Sequence, residues 1–443
     1  MKLNEKTGCY NMLAQSGKFS NDGHGTLYIQ EPPGVQYALS TKEAAHIVAK
    51  WLKDKAGFLL FYNDAKALAI DLRESVDIGN EKLAEFQPHD YLACKNGIID
   101  MRMGKLVEHP PNGIYIKNFA DFEFREGVSL EGSVWQSFIH TSLNADIRRG
   151  KVIPDKVRLL GEFLLNVLCA FPNNKKLMII LGPPHAGKSV VLQFIRGIMR
   201  PGSWVPLSLA DLTQQFRVYL LENRQAVISD ELCCGGVKHL DILKKIIAGE
   251  DIIIEAKGEQ AIPYKPHAKL LYAANSLPEL GERDSGNAFA DRLAVLKFPN
   301  TLSTAQWDLG LVDKLLKERN VFLSYIVQNI APAFVQRNFA FTKDNDGEEA
   351  LRSYKQENDS VKAFIEDAEL CDRGEQNEAY LGDVYEAYTK FCKVNMVRPF
   401  GARVFRSQLV DMQFSFEKKR LGKDRTSRSC VLGLKLKGSG LIV

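Results

Sequence analysis

Short, unbroken apolar runs mark candidate buried strands along this chain. Leu177 to Leu181 is the clearest run, and the apolar positions after Ser189 return at the spacing of a helix. Two similar runs end at Ser229 and Ala274, and the interval before the first of them is long enough for a helix and a crossover. This succession of strands and helices predicts an α/β fold for the middle of the chain.

Further elements are predicted on both sides of this region. Predicted helices cover 41–53, 133–143, 155–171, stretches between 299 and 334, 378–394 and 402–412, and predicted strands cover 57–63, 67–72, 414–416 and 431–436. Residues 91–107 are expected to be rich in strand, with turns at Asn96-Gly97 and Met103-Gly104, whereas the first 35 residues are expected to be irregular. Near the C-terminus the order helix, helix, strand, basic loop, strand is typical of a winged helix.

Charge is distributed unevenly along the chain. The net charge of +4 hides a basic end, because residues 390–443 carry thirteen Lys and Arg against three Asp and Glu, a balance of +10. Such an excess points to a polyanionic partner, with nucleic acid as the first candidate. No apolar run approaches the roughly 18 residues of a membrane span, and the first residues lack the apolar core of a signal peptide. We therefore expect a cytoplasmic protein with no membrane partner.

The eight cysteines and eight histidines are scattered. No CxxC pair occurs, so the spacing indicates neither a disulfide framework nor a zinc ribbon. We expect reduced thiols and no structural metal.

One motif directly follows the apolar run that ends at Leu181. Its eight residues fit GxxxxGK[ST], which is typical of a nucleoside triphosphate site. Glycines let backbone N–H groups surround phosphate oxygens, while Lys188 neutralises the β and γ charge and the Ser189 hydroxyl binds Mg²⁺. The sequence therefore predicts ATP and Mg²⁺ as cofactors. The predicted nucleotide-binding residues are Gly182, Pro183, Pro184, His185, Ala186, Gly187, Lys188 and Ser189.

Three later signals extend this site. Asp230 and Glu231 follow an apolar strand, where Asp230 would hold the Mg²⁺ shell and Glu231 would activate the attacking water. Asn275 ends the next apolar strand and could sense the γ-phosphate or position the water. Arg292, seventeen residues further on, has the planar, permanently charged group that stabilises charge in phosphoryl transfer. The predicted catalytic residues are thus Lys188, Asp230, Glu231, Asn275 and Arg292.

These ordered motifs resemble superfamily 3 helicases, in particular the helicase part of phage, plasmid and poxvirus primase-helicases. The resemblance runs through GPPHAGKS, the strand before Asp230-Glu231, IIAGEDIIIEAKGE, the strand before Asn275-Ser-Leu-Pro and Asp291-Arg292-Leu293. It also includes KNGIID, which is similar to an Asn-Gly motif in the domain that precedes the ATPase in that family. The resemblance covers residues 91–298, and the C-terminal winged helix matches more loosely.

The resemblance implies an AAA+-like ATPase core that forms a homo-oligomeric ring, usually a hexamer, with ATP between neighbouring subunits. Arg292 would then serve the adjacent subunit's nucleotide, and Arg283 is the alternative for this role. The segment 251–264 looks like the family's channel hairpin, with Lys257 at its tip gripping a phosphate of single-stranded DNA. A solvated lysine at a turn is the competing interpretation of Lys257, and Lys265 or Lys269 could substitute for it.

The C-terminal basic residues are candidate contacts to duplex DNA. Two of them lie on the presumed recognition helix and the others in the presumed wing, and the alternative is a solvated surface or a contact with an acidic face of a neighbouring subunit. They are Arg403, Arg406, Lys418, Lys419, Arg420, Lys423, Arg425 and Arg428. Many members of the family that the motifs resemble carry a primase domain on the same chain. Residues 1–90 are too short for such a domain, so any priming would come from a separate primase.

Together these signals predict four segments. They are an N-terminal α+β module and candidate oligomerisation collar at 1–130, a P-loop ATPase at 131–340, a linker with a helix at 341–375, and a winged helix at 376–443. The predicted function is an ATP-driven DNA helicase or translocase in the replication of a phage or other mobile element. The alternatives are a replication initiator that melts DNA without processive unwinding, a DNA-binding regulatory or defence ATPase, and a small-molecule P-loop kinase.

Overall fold

The computed structural model of the chain describes residues 2–23, 26–31, 35–39, 41–80, 90–107, 116, 118–148, 152–169, 171–230, 232, 237, 239–258, 260–280, 287–303, 308–358, 360–395, 399–421 and 427–437. The chain divides into two compact units. Unit 1 contains Met1–Glu279 and Arg292–Glu348, and unit 2 contains Leu280–Asp291 and Glu349–Val443.

Both units contain helices and strands. The described helices are α1 (Leu3–Gln15), α2 (Thr41–Ala56), α3 (Tyr62–Arg73), α4 (Val134–Leu143), α5 (Asp155–Leu168), α6 (Lys188–Ile198), α7 (Gln215–Val218), α8 (Leu240–Ala248), α9 (Leu311–Lys317), α10 (Arg319–Asn329), α11 (Ala331–Gln336), α12 (Asn345–Asn358), α13 (Ser360–Glu366), α14 (Leu381–Val394) and α15 (Ala402–Asp411). The described strands are β1 (Phe19–Asn21), β2 (Leu27–Glu31), β3 (Val35–Leu39), β4 (Tyr91–Cys94), β5 (Gly97–Asp100), β6 (Lys105–Val107), β7 (Leu177–Leu181), β8 (Trp204–Val205), β9 (Ala226–Ser229), β10 (Ile252–Ile254), β11 (Ile262–Tyr264), β12 (Lys269–Ala274), β13 (Leu293–Lys297), β14 (Cys371–Tyr380), β15 (Ser415–Lys419) and β16 (Arg428–Leu436).

A five-stranded parallel sheet forms the centre of unit 1. Its strand order is β13-β7-β12-β9-β8, and β7 pairs in parallel with β12 on one side and β13 on the other. All residues of β7, β9 and β12 are buried, which explains why these strands are unbroken apolar runs in the sequence. The predicted α/β fold is therefore confirmed as a mixed α/β architecture with a parallel sheet.

Helices cover this sheet and complete its core. The helix α5 buries eleven residues, and α4, α6, α10 and α11 contribute to the same hydrophobic cluster. Trp135 lies fully buried in that cluster, stacked on Phe322 with a centroid separation of 3.5 Å. The predicted helices at 133–143 and 155–171 are confirmed as α4 and α5, although α5 ends at Leu168.

The N-terminal part of unit 1 differs from the sequence prediction. The prediction of a strand at 67–72 is wrong, because these residues belong to α3. The prediction of a strand at 57–63 is also wrong, because residues 57–61 have no regular structure and the last two residues begin α3. The buried positions of α3 are Ala65, Leu68, Ala69 and Leu72, which recur at the three- and four-residue spacing of a helix. The first 35 residues are also not irregular, since they form α1, β1 and β2. Only Cys9 and Leu13 are buried in α1, so its sequence shows no clear apolar stripe.

The strand-rich prediction for 91–107 is confirmed by the antiparallel sheet β4-β5-β6. Its second turn contains Gly104, which has φ +64°. A Cβ atom at this position would lie 2.8 Å from the carbonyl oxygen of Val327. Gly104 therefore lets this turn approach α10 closely.

Unit 2 contains a separate hydrophobic core. Its antiparallel sheet has the order β14-β16-β15, and α13, α14 and α15 pack against it. The helix predicted from residue 378 begins only at Leu381, because Glu378 to Tyr380 belong to β14. Most of β14 between Cys371 and Ala379 is exposed and its pairing with β16 shifts register, so the sequence lacks the alternation of a regular strand.

The described residues bear on two predictions, the absence of a membrane span and the presence of reduced thiols. Within the described ranges, no helix combines the length and the apolar character needed to cross a membrane. The described cysteines are buried free thiols; they are Cys9, Cys94, Cys169, Cys371, Cys392 and Cys430.

Candidate nucleotide-binding site

The loop from Gly182 to Gly187 connects the central strand β7 to α6. The Gly182 N–H donates to the carbonyl of Ala274 at 3.1 Å, and the Phe298 N–H donates to the carbonyl of Leu181 at 2.7 Å. The start of the loop is thus tied to the strands on both sides. Its other end, Gly187, is the N-cap residue of α6. The unpaired N–H groups of the first helical turn therefore open toward this loop, an arrangement that favours anions.

Both glycines of the loop are required by its geometry. A Cβ atom on Gly182 would lie 2.3 Å from the carbonyl oxygen of Phe298. Gly187 has φ +92°, and a Cβ atom there would lie 2.8 Å from the Ser142 hydroxyl. The sequence motif identified these glycines from their spacing, and the close approach of β13 and α4 gives the structural reason.

Gly182→Ala should destabilise unit 1 by about 1–3 kcal/mol or more, because the new methyl group overlaps a backbone atom that cannot rotate away. The midpoint of urea unfolding measures this effect. Gly310→Ala is the matched control, since its nearest new contact is the side chain of Asp308 at 3.5 Å. Equal midpoints for the two variants would contradict the close packing at Gly182.

Lys188 is the charged group at the centre of the site. Its ammonium donates to the carbonyls of Gly182 at 2.7 Å and Pro183 at 2.6 Å, and to Oδ1 of Asn275 at 2.9 Å. Only 8% of the residue is exposed, and this burial lowers the pKa of its amine. All three acceptors are neutral, so the buried positive charge remains available to an anion. These features fit the charge and hydrogen-bonding capacity of a phosphate group.

The predicted polar residues around Lys188 lie at the carboxyl ends of the parallel strands. Asn275 follows β12 and contacts Lys188 directly. Asp230 follows β9, and Ser189 lies exposed in the first turn of α6. Ligands of parallel α/β sheets bind at this edge. An exposed hydroxyl and a carboxylate are oxygen donors of the kind that Mg²⁺ takes. Glu231 lies outside the described residues.

Arg196 is a residue of the site that the sequence analysis missed. Its guanidinium donates to Oδ2 of Asp230 at 3.0 Å and to the carbonyl of Ile228 at 2.8 Å, and it lies over the ring of Trp204 at 5.0 Å. Arg196 is two turns along α6 from Lys188, so one helix carries both cations. No short motif marks such a residue, because its partners come from β9 and β8.

Arg292 lies at the opposite edge of the sheet. It immediately precedes β13, whose first residue, Leu293, is in register with Leu177 at the start of β7. The length of β7 therefore separates Arg292 from the loop, roughly 16 Å at the rise of a strand. The structure does not place Arg292 at the Lys188 site of the same chain. Arg283, the alternative for its predicted role, lies outside the described residues.

The segment predicted as a hairpin does form one. Strands β10 and β11 pair antiparallel, with Ile254 opposite Ile262, and Lys257 lies exposed in the turn between them. Lys265 is exposed just after β11. Lys269, by contrast, is buried and donates to the carbonyls of Phe171 at 2.9 Å and Pro172 at 3.2 Å. The suggestion that Lys269 could replace Lys257 is therefore wrong.

The basic residues of unit 2 differ in their surroundings. Arg403 is exposed in the first turn of α15, and Lys418 and Arg420 are exposed near the end of β15. Arg406 lies over the ring of Phe416 at 4.7 Å. Lys419 pairs with Glu378 at 2.8 Å and Glu417 at 3.6 Å. Lys423 and Arg425 lie outside the described residues, and Arg428 pairs with Asp383 at 3.6 Å.

Comparison with known proteins gives one family and a group of solved structures. Residues 180–292, the span from the loop to Arg292, match a family of unknown function, DUF5906. No curated protein matches the chain. The apo structure of the NrS-1 C-terminal region (305–718) is similar over 98% of this chain and 100% of that chain, at 13% identity and a TM-score of 0.48. The A form apo structure of the same region is similar over 97% and 100%, at 12% identity and a TM-score of 0.47.

Proposed function

We propose that the chain is an ATP-driven DNA helicase or translocase that forms a ring and acts in the replication of a phage or other mobile element. The observation that carries the proposal is the buried Lys188 amine in a glycine-bounded loop, which contacts neutral acceptors only. Asn275 follows the adjacent strand β12, and Asp230 follows the next strand in the sheet, β9. The chemistry of this arrangement suits a nucleoside triphosphate. Its place after a central parallel strand supports a P-loop ATPase core.

Each residue of the site has a role in ATP hydrolysis under this proposal. Lys188 neutralises charge on the β- and γ-phosphates, while the N–H groups of the loop and the start of α6 surround the phosphate oxygens. Ser189 and Asp230 would hold Mg²⁺, which would offset the negative charge that develops on the phosphate oxygens. Asn275, which contacts Lys188 at 2.9 Å, orients the attacking water or senses the γ-phosphate. Glu231, the residue after Asp230, takes the proton from that water.

The location of Arg292 supports a role between subunits. At the amino edge of the sheet it is one strand length from the loop of its own chain. An arginine that stabilises phosphoryl transfer can be supplied in trans by a neighbour, and such groups accelerate hydrolysis by about 10³–10⁵-fold. We therefore propose that ATP binds between subunits of a homo-oligomeric ring, a hexamer in the family that the motifs resemble.

We further propose that the β10–β11 hairpin contacts single-stranded DNA through Lys257 and that unit 2 contains a winged helix that binds duplex DNA. The exposed Lys257 at the hairpin turn and the exposed Arg403, Lys418 and Arg420 support these contacts. DNA binding by such groups neutralises phosphates and therefore weakens as salt concentration rises.

Lys257→Ala should lower the rate of strand displacement by about tenfold or more, because the hairpin loses its phosphate contact, and should leave basal ATP hydrolysis nearly unchanged. Unwinding of a forked duplex and phosphate release, measured on the same sample, separate the two effects. Lys265→Ala is the matched control, since this lysine is also exposed but lies outside the turn. Normal unwinding by the Lys257 variant would refute the assignment of the hairpin.

Arg196→Gln should raise the Mg²⁺ concentration for half-maximal ATP hydrolysis by about 10–100-fold. Arg196 binds only Oδ2 of Asp230 and is itself held by Ile228 and Trp204, so it orients the carboxylate without occupying both oxygens. Arg196→Lys should show a similar defect, because one ammonium does not reproduce a planar guanidinium with two separate contacts. A lower Mg²⁺ requirement in either variant would show that Arg196 competes with the metal.

The direct test of ATP binding is equilibrium titration of a fluorescent ATP analogue with the full chain. We expect Mg²⁺-dependent binding to wild type that is displaced by ATP and greatly weakened in Lys188→Ala. Equal binding by both proteins would place the nucleotide elsewhere and overturn the proposed site.

A further inference from the structure

A small cavity lies within unit 2. Its volume is about 270 Å³, and its lining includes Tyr380, Gly382, Tyr385, Ala402, Phe405 and Arg428. These residues come from the end of β14, the first turns of α14 and α15, and the start of β16. The volume is below the roughly 300–1,000 Å³ of pockets for drug-sized ligands, so the space suits a single flat ring system.

Half of the residues that line the cavity carry planar side chains, and contacts within unit 2 hold several of these in place. The Arg428 guanidinium lies 3.7 Å from the centroid of the Tyr380 ring and pairs with Asp383 at 3.6 Å. The Tyr380 hydroxyl accepts the N–H of Leu421 at 2.7 Å, and the Tyr385 hydroxyl donates to the carbonyl of Phe400 at 3.1 Å. These contacts hold both tyrosine rings in place before any ligand binds, which reduces the entropy lost on binding.

We propose that this cavity receives one unpaired base of DNA next to the duplex bound by unit 2. Aromatic rings and arginine planes are the surfaces on which unstacked bases are held. Arg428 supplies positive charge at the cavity beside its partner Asp383, and the exposed Arg403 follows Ala402 directly. Residues 390–443, which supply Ala402, Phe405, Arg428 and Ser429 to the lining, carry a net charge of +10, and this charge favours a polyanion over a peptide side chain as the occupant. This inference rests on the proposed DNA binding and adds its substrate class, a junction between duplex and single strand.

The experiment compares three DNAs that share one duplex. The first is blunt, the second carries a single unpaired nucleotide at one end, and the third carries an abasic residue at the same position. We expect the full-length protein to bind the unpaired base about tenfold more tightly than the abasic residue. With 2-aminopurine as the unpaired base, binding should quench its fluorescence through stacking.

Gly382→Leu is the variant that fills the cavity. Nothing lies within 4 Å of a Cβ atom built on Gly382, and the residue is in the first turn of α14, so leucine is compatible with the fold. The variant should bind the blunt duplex like wild type but lose both the tenfold preference and the quenching. Ala402→Leu fills the cavity from α15 and should do the same. Arg403→Ala is the control, because loss of a phosphate contact weakens all three DNAs alike.

Two outcomes would overturn the proposal. One is equal affinity of wild type for the unpaired base and the abasic residue, and the other is an unchanged preference in both cavity-filling variants. Equal affinity of wild type for the unpaired base and the abasic residue, together with binding of an acidic, phenylalanine-containing peptide that both cavity-filling variants abolish, would assign the cavity to a protein partner. ATP hydrolysis stimulated by single-stranded DNA is a separate readout, so failure of the cavity and failure of the motor function are distinguishable.

Discussion

Lys188→Ala should reduce ATP hydrolysis by at least about 100-fold while leaving the protein folded. Among the described residues, Lys188 is the only buried cation that contacts the carbonyls of the loop. Preorganised charged groups of this kind accelerate a reaction by about 10²–10³-fold. Stability should not fall steeply, because burial already disfavours the charged amine, as its lowered pKa indicates. Phosphate release at saturating Mg²⁺ and ATP measures the loss, and thermal unfolding checks the fold.

Lys50→Ala is the control for this variant, because Lys50 is an exposed lysine on α2. It should hydrolyse ATP at the wild-type rate. Hydrolysis by Lys188→Ala within a fewfold of that rate would exclude the loop as the catalytic nucleotide site. Lys188→Arg is a further check on geometry, since the longer, planar group cannot reproduce three contacts made by one nitrogen.

Glu162→Ala should lower the free energy of unfolding of unit 1 by about 1–3 kcal/mol or more. Glu162 is fully buried in α5 and accepts hydrogen bonds from the Arg337 guanidinium, from the Thr342 hydroxyl at 2.7 Å and from the Thr342 N–H at 2.6 Å. Removing the carboxylate leaves the buried Thr342 N–H group without its acceptor. The Arg337 side chain is 36% exposed and keeps its hydrogen bonds to Ala333 and Thr342, so its charge adds little to the loss. Urea unfolding followed by tryptophan fluorescence reports the change, because Trp135 lies in the same core.

The matched control for Glu162 is an ion pair at the surface. Asp146 and Arg148 of unit 1 are 2.7 Å apart and both are largely exposed, so Asp146→Ala should leave the unfolding midpoint nearly unchanged. Comparable midpoints for Glu162→Ala and Asp146→Ala would show that the buried network does not secure α5 to the segment after α11. A double-mutant cycle with Arg337→Ala isolates the coupling between the two charged groups.

The central sheet could be predicted from the sequence because its strands are buried on both faces and are therefore unbroken apolar runs. This pattern located β7, β9 and β12 and the polar residues at their ends. The apolar pattern is a poor guide where only one face of an element, or only a few of its positions, are buried. The apolar residues of α3 predict a strand instead of a helix. The sequences of α1 and β14 predict no such elements, because only a few of their positions are buried. Tertiary packing decided the structure of these segments.

The candidate site was predictable only where chemistry follows a fixed spacing. The loop from Gly182 to Ser189 could be found from its motif, and Asn275 from its place after a strand; the contact of Asn275 with Lys188 then required the structure. Arg196 reaches Asp230 through the packing of α6 against β9, which no local spacing encodes. Likewise, the position of Arg292 at the amino ends of the strands depends on the parallel pairing of β13 with β7, which is a property of the fold.

The most direct test of the motor function is steady-state ATP hydrolysis by the oligomeric fraction of the full chain, with and without single-stranded DNA. We predict that DNA stimulates hydrolysis by wild type, that Lys257→Ala loses most of the stimulation, and that Lys188→Ala is inactive in both conditions. Hydrolysis by wild type that depends on Lys188 but is indifferent to DNA would contradict a nucleic-acid motor. That result would favour an ATPase whose nucleotide controls assembly.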